Sequence, residues 1–319
     1  MQFFTAFGWL GVGTALVSMF LFSSLGAMLL HDGHTHQTNS DREIWVRYCG
    51  TKLGTVIDIF SSVFTAAVFM VMIGGAGATI NQYTGLPNLV GSVIMSILCL
   101  ITALLGLEKL VDIIGAIGPV ILVFSLFIGT YSLFTNLDNL ATASQTMETM
   151  TLTKSCGNWF QSALLYVGEN SLLFFCFLFQ LSRSAKTAKG GAAGGAVGGF
   201  FLTLAILVMH LAFMASISDV YDKAIPSLTL ASEISPLLAG FFTVTVMMGI
   251  YSTTVPLLWM TCRKTGPDGS KKFITTAIIM TIAALIVSRF PFATLVNTVY
   301  PFAGYVGVFD RLSADSGYL

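Results

Sequence analysis

Charge is what this sequence has least of. Lysine and arginine number 15, aspartate and glutamate 15, and together they are 9% of 319 residues, where a soluble domain carries about 25%. With 55% hydrophobic residues and a mean hydropathy of +0.83, a water-soluble globular chain is excluded. The two signs cancel, so there is no basic surface for nucleic acid. Cysteine is sparse as well: Cys49, Cys99, Cys156, Cys176 and Cys262 are scattered, with no CxxC. Neither a disulfide nor a metal centre is expected from them. A phosphate-binding loop, a paired His and carboxylate in a membrane-facing site, and a Ser/His/Asp set are all missing. That argues against ATP-driven transport and against an intramembrane enzyme. The first apolar run, Thr5 to Leu30, is too long for a signal peptide and lacks a basic start, so it is read as a span.

Long apolar runs are what the sequence has in their place. Runs of about 20 residues fit spanning helices, and alternating segments of about ten would fit a barrel. The fold class is an all-α integral membrane protein embedded in the lipid bilayer, with nine helices predicted at 5–30, 54–80, 89–106, 111–135, 159–182, 192–216, 236–262, 273–290 and 292–310. Twelve of the fifteen basic residues fall in alternate connections, leaving Lys154, Lys223 and Arg289 in the others. By the positive-inside rule the C-terminus faces the cytoplasm of a multi-pass plasma-membrane protein. Nine spans then put Met1 outside on a four-residue stub. The expectation is a further helix ahead of Met1, with a nine-span, N-out chain as the alternative.

Three histidines, His31, His34 and His36, fall in a polar segment from His31 to Gly50. That spacing can bind a metal at a turn, but no second ligand cluster accompanies it, and a solvated loop is expected. Segment 136–158 reads as a capping loop with a short helix and 218–235 as a segment that can fold back over an entrance, with plain connectors the alternative for both. Between Gly190 and Gly199, two interleaved glycine rows at spacing four predict close helix packing.

Candidate chemistry centres on Gly168-Glu169-Asn170-Ser171, inside the run 159–182. Glu169 is the acidic residue nearest the centre of any predicted span. A carboxylate there costs about 2.5–3.5 kcal/mol to insert and calls for a proton or a cation; interhelical hydrogen bonding is the structural alternative. Gly168 and Asn170 suggest a helix that unwinds at mid-depth, freeing backbone groups for a solute. Ser252, Thr253 and Thr254, just before Pro256, are weaker candidates as oxygen ligands for a monovalent ion, because such hydroxyls also bond their own helix. In the second span, Ser61, Ser62, Thr65, Gly74, Gly75 and Gly77 form a small polar face that lines a path or packs.

The chain resembles the YkvI-like bacterial membrane proteins, distant members of the amino acid–polyamine–organocation superfamily with the LeuT-like fold. The resemblance is carried by Gln2-Phe3-Phe4 followed by Phe7-Gly8-Trp9, by Gly74-Gly75-Ala76-Gly77-Ala78, and by Gly85-Leu86-Pro87. Further carriers are Gly168-Glu169-Asn170, Tyr251-Ser252-Thr253-Thr254, and Tyr300 to Gly307. It implies an inverted repeat of five helices, with 1–135 an incomplete first repeat, 136–158 an external loop, 159–310 the second repeat and 311–319 a tail. The first helix of the family would precede Met1. It also implies a solute held between that helix and Gly168 to Ser171, and an ion between its carbonyls and Thr253 and Thr254.

The functional expectation is a secondary transporter, a symporter of a small organic solute, an amino acid or amine by superfamily analogy, coupled to Na⁺ or H⁺. The alternatives are a non-transporting membrane sensor or assembly subunit on the same scaffold, or an inactive N-terminally truncated form. The sequence leaves the oligomeric state open.

Overall fold

The structure, a computed structural model, describes residues 1–38, 40–105, 107–297 and 299–300. Among them every regular element is helical and no strand occurs, as expected of a bilayer protein that must satisfy its backbone groups within each segment. Six helices are long and apolar enough to cross a membrane: Leu10–His36, Asp41–Thr84, Ile117–Thr135, Trp159–Ser184, Ala188–Ala215 and Pro236–Arg263, with Asn88–Leu104 a shorter apolar helix. This is a multi-pass membrane protein.

In chain order the helices are α1 (Leu10–His36), α2 (Asp41–Thr84), α3 (Asn88–Leu104), α4 (Leu107–Thr135), α5 (Leu137–Leu140), α6 (Ala143–Glu148), α7 (Trp159–Leu181), α8 (Ala188–Ala215), α9 (Ile217–Val220), α10 (Pro226–Ile234), α11 (Pro236–Arg263) and α12 (Lys271–Val287). Local chemistry sets their ends. Asn158 caps α7 by accepting from the Phe160 N–H at 2.8 Å, and Ser235 and Ser270 cap α11 and α12 in the same way. Prolines at 226 and 236 open α10 and α11.

Two boundaries differ from the sequence reading. The first helix begins at Leu10, because a 3-10 turn over Thr5–Phe7 ends at Gly8 with φ 57°, a conformation that suits glycine. At its other end α1 runs on to His36, so the three histidines are helical and not part of a loop. From Asp41 the segment is helical too. In α2 a short helix from Asp41 meets the long one at Gly50, whose φ 72° and ψ 170° belong to glycine alone. Of the predicted ninth span, 292–310, residues 301–310 lie outside the described residues.

The chain divides into two compact units, the first comprising Met1–Phe64, Thr151–His210 and the segment from Tyr300, the second Thr65–Met150 and Leu211–Val299. Glycine organises the first. A Cβ on Gly26 would lie 2.6 Å from the Gly195 carbonyl oxygen, and one on Gly199 would lie 2.6 Å from the Ser23 nitrogen, so α1 and α8 touch backbone to backbone. The second glycine row does not pack: Gly194 and Gly198 face open space. On its other side α1 lies along α7, where Thr14 Oγ1 donates to the Trp159 carbonyl at 3.1 Å. The helix before Gly50 sits on the far end of α7. There Trp45 stacks on Phe175 with centroids 4.5 Å apart, and Gln180 donates to Asp41 at 2.6 Å.

In the second unit α3 packs on the latter half of α2, with Ser92 Oγ donating to the Ile73 carbonyl at 3.0 Å and Gly91 against Ala76. Gly77 of the second span packs there as well, where a Cβ on it would strike the Asn88 carbonyl oxygen. Gln82 holds the connection before α10 through Ile225, donating to its carbonyl at 2.9 Å and accepting from its N–H at 2.8 Å. Tyr251 on α11 shares a 2.6 Å hydrogen bond with Thr102 on α3.

Candidate functional site

Glu169 is near the middle of α7, which has 23 residues, and is 2% exposed. Asn170 Nδ2 is 3.5 Å from its Oε1, a marginal bond, and Oε2 has no hydrogen-bond partner among the described residues. Around it α7 presents Tyr166 one turn earlier, whose ring meets Phe3 at 5.4 Å, Phe4 at 4.8 Å and Phe22 of α1 at 5.7 Å between centroids. Tyr300 packs on the same cluster. Ser61, from the first half of α2, donates to the Leu172 carbonyl at 2.6 Å, three residues beyond Glu169. The interhelical contact here is made by the neighbouring backbone and leaves the carboxylate alone.

The expected break at Gly168 is not there: α7 is one uninterrupted helix through Gly168, Glu169, Asn170 and Ser171. A single glycine costs a helix only about 1 kcal/mol relative to alanine, and the polar neighbours reinforce the ladder. Asn170 Nδ2 donates to the Tyr166 carbonyl at 2.8 Å and Ser171 Oγ to the Val167 carbonyl at 2.7 Å, each one turn back. Gly168 is therefore not an unwinding point, and Asn170 and Ser171 spend their donors on their own helix. Of the four, Glu169 is the one with a fully buried polar atom that has no partner among the described residues.

The second candidate group lies in the other unit. Ser252 Oγ donates to the Gly249 carbonyl at 2.9 Å and Thr254 Oγ1 donates to the Ile250 carbonyl, while α11 continues through Pro256. Both hydroxyls keep lone pairs, and Pro256, lacking an N–H, withholds the usual intrahelical donor from the Ser252 carbonyl. Thr253 is half-buried beside them. The site residues therefore fall into one acidic group in the first unit and one hydroxyl group in the second.

The histidines do not converge. His31 contacts Asp32 at 3.3 Å, His34 faces the Ser182 carbonyl at 3.4 Å, and among the described residues no group of three His, Cys, Asp or Glu side chains could hold a metal ion.

This chain is 24% identical to the uncharacterized membrane protein YkvI of Bacillus subtilis (strain 168) over 310 residues, spanning 96% of this chain and 86% of that one. The similarity extends over nearly its whole length. No protein-family model matches it. Glu169 lies in Gly168-Glu169-Asn170, one of the motifs on which the resemblance was read, and Tyr300 opens another. Sequence reasoning found Glu169 but missed Tyr166 and Tyr300 as its surroundings. The signal for Tyr166 was its spacing of three residues before Glu169, which puts both on one helix face. Tyr300 lies 131 positions away and had no local signal.

Proposed function

We infer that this protein is a secondary transporter of a small organic solute, working by ion-coupled alternating access in the plasma membrane with its C-terminus in the cytoplasm. The observation that carries the reading is how the helices divide between the units. In the inverted repeat implied by the resemblance, α7 and α8 take the first and second places of the later repeat and α1 the second place of the earlier. All three belong essentially to the first unit. Of the third and fourth places, α3, α11 and α12 belong to the second, while the long part of α2 is divided, 50–64 in the first unit and 65–84 in the second. Apart from that first stretch of α2, membership follows place in the repeat and not order in the chain, as in transporters built from inverted repeats.

The two candidate groups fit that division. Glu169, on the first unit, offers a buried carboxylate oxygen with no partner, and Ser252 to Thr254, on the second, offer hydroxyl and carbonyl oxygens. An amino acid or amine is the solute class that the superfamily resemblance suggests. The test is reconstitution of the full chain into proteoliposomes and uptake of a labelled panel of amino acids and amines, with an imposed proton gradient, an imposed sodium gradient or neither. Saturable, gradient-dependent accumulation is expected. Saturable binding without flux would favour a sensor on the same scaffold.

A further inference from the structure

Several buried polar atoms of the first unit have no hydrogen-bond partner, among them Glu169 Oε2, Tyr300 Oη and His210 Nε2. His210 lies apart with the amino-terminal turn: its Nδ1 faces Thr5 Oγ1 at 3.5 Å and its ring lies against Gly11. The other two belong together. Tyr166 stands three residues before Glu169 on α7, on the same helix face, and Tyr300 packs on the same hydrophobic cluster as Tyr166.

What surrounds the carboxylate decides which ion it can hold. A bare metal cation needs a cage of oxygens to replace its water. Here Ser171 Oγ and Asn170 Nδ2 donate to carbonyls of α7 itself, and the helix runs on without a break that would free backbone carbonyls for a cage. The amino-terminal segment brings Phe3 and Phe4 to the cluster, α1 brings Phe22, α2 brings Phe64, and α8 brings Ile206 and Leu207. Among the described residues the titratable side chains packed on that cluster are Tyr166, Tyr300 and Cys156. A proton needs one lone pair and no cage.

We propose that Glu169 is a proton-binding site in which Tyr300 is the hydrogen-bonding partner of the carboxylate and Tyr166 packs beside it. In one state Oε2 carries the proton and the site is neutral. In the other the proton has left to water, and the carboxylate accepts from the Tyr300 hydroxyl. No bond other than O–H forms or breaks. As the coupling site of a symporter this rests on the transport reading; as a proton site it does not, and it is tested without flux.

The test is infrared difference spectroscopy of the purified full chain, titrated with acid in choline chloride and again in sodium chloride. The expected result is a protonated-carboxyl band that titrates, is lost in Glu169→Gln, and is displaced but present in Glu169→Asp, which guards against a Gln variant that misfolds. In Tyr300→Phe the midpoint moves by about tenfold in proton concentration, because the anion loses a donor. Sodium at fixed pH leaves the band unchanged. A band that persists in Glu169→Gln, or that sodium removes at constant pH, overturns the proton site. A Tyr300→Phe titration identical to that of the unmodified chain overturns the part given to Tyr300. Absence of solute flux in proteoliposomes with this band intact would contradict the transport reading alone.

Discussion

Gly26 and Gly195 meet backbone to backbone: a Cβ on Gly26 would lie 2.6 Å from the Gly195 carbonyl oxygen, and a Cβ on Gly195 would strike the Gly26 carbonyl. One position along the same helix, Gly194 has nothing within reach. Gly195→Ala should therefore force α1 and α8 apart, at roughly 1–3 kcal/mol for overpacking. Gly194→Ala should gain up to about 1 kcal/mol of helix propensity. Thermal unfolding of the two variants in detergent checks the opposite signs. Equal effects would mean that the two glycine rows are not distinguished by packing.

The helix that precedes Gly50 is fixed by Trp45, which is 1% exposed and stacked on Phe175. Trp45→Ala should cost roughly 3–5 kcal/mol, as for large aromatic truncations in packed interiors. Gly50→Ala should cost roughly 1–3 kcal/mol for a different reason, the backbone at φ 72° and ψ 170°. Chemical denaturation in mixed micelles measures both. A Gly50→Ala protein as stable as the unmodified chain would contradict the turn.

Glu233, in α10 between spans, has its carboxyl pushed above the usual carboxylate range by partial burial and, next, by the negative charge of Asp219. An acid whose folded value is raised favours folding most when protonated. The benefit is complete below the unfolded carboxyl value, near 4.5, and disappears as pH rises through the higher folded value. Glu233→Gln should remove this component, so its unfolding midpoint should fall less than that of the unmodified chain as pH is raised from about 4 to 7. Asp219→Asn should remove part of it. Parallel pH profiles for all three proteins would contradict the assignment.

The membrane class and most helix positions were legible because long apolar runs have few interpretations in a bilayer. The glycine rows were legible as packing, although which row packs depends on the rotation of α8 against α1, and spacing alone does not encode it. Gly168 and Asn170 misled because residues that can open a helix can also close it. The Asn170 amide found the Tyr166 carbonyl one turn back, so the local balance favoured a continuous α7. Tyr300 could not be joined to Glu169 from the sequence, since nothing local links residues on different helices. His31, His34 and His36 looked like a loop because their polarity hid the last turns of an apolar helix.

The central claim is ion-coupled solute transport with Glu169 at the coupling site, and Glu169→Gln in reconstituted full-length protein tests it most directly. The measurement is gradient-driven accumulation of whichever labelled solute the unmodified chain takes up, compared between the two proteins after matching for folded protein. The account predicts that accumulation against a concentration gradient is lost in Glu169→Gln, while exchange of solute across the membrane without net accumulation can survive. Accumulation by Glu169→Gln equal to that of the unmodified chain, with the same dependence on the imposed gradient, would contradict it.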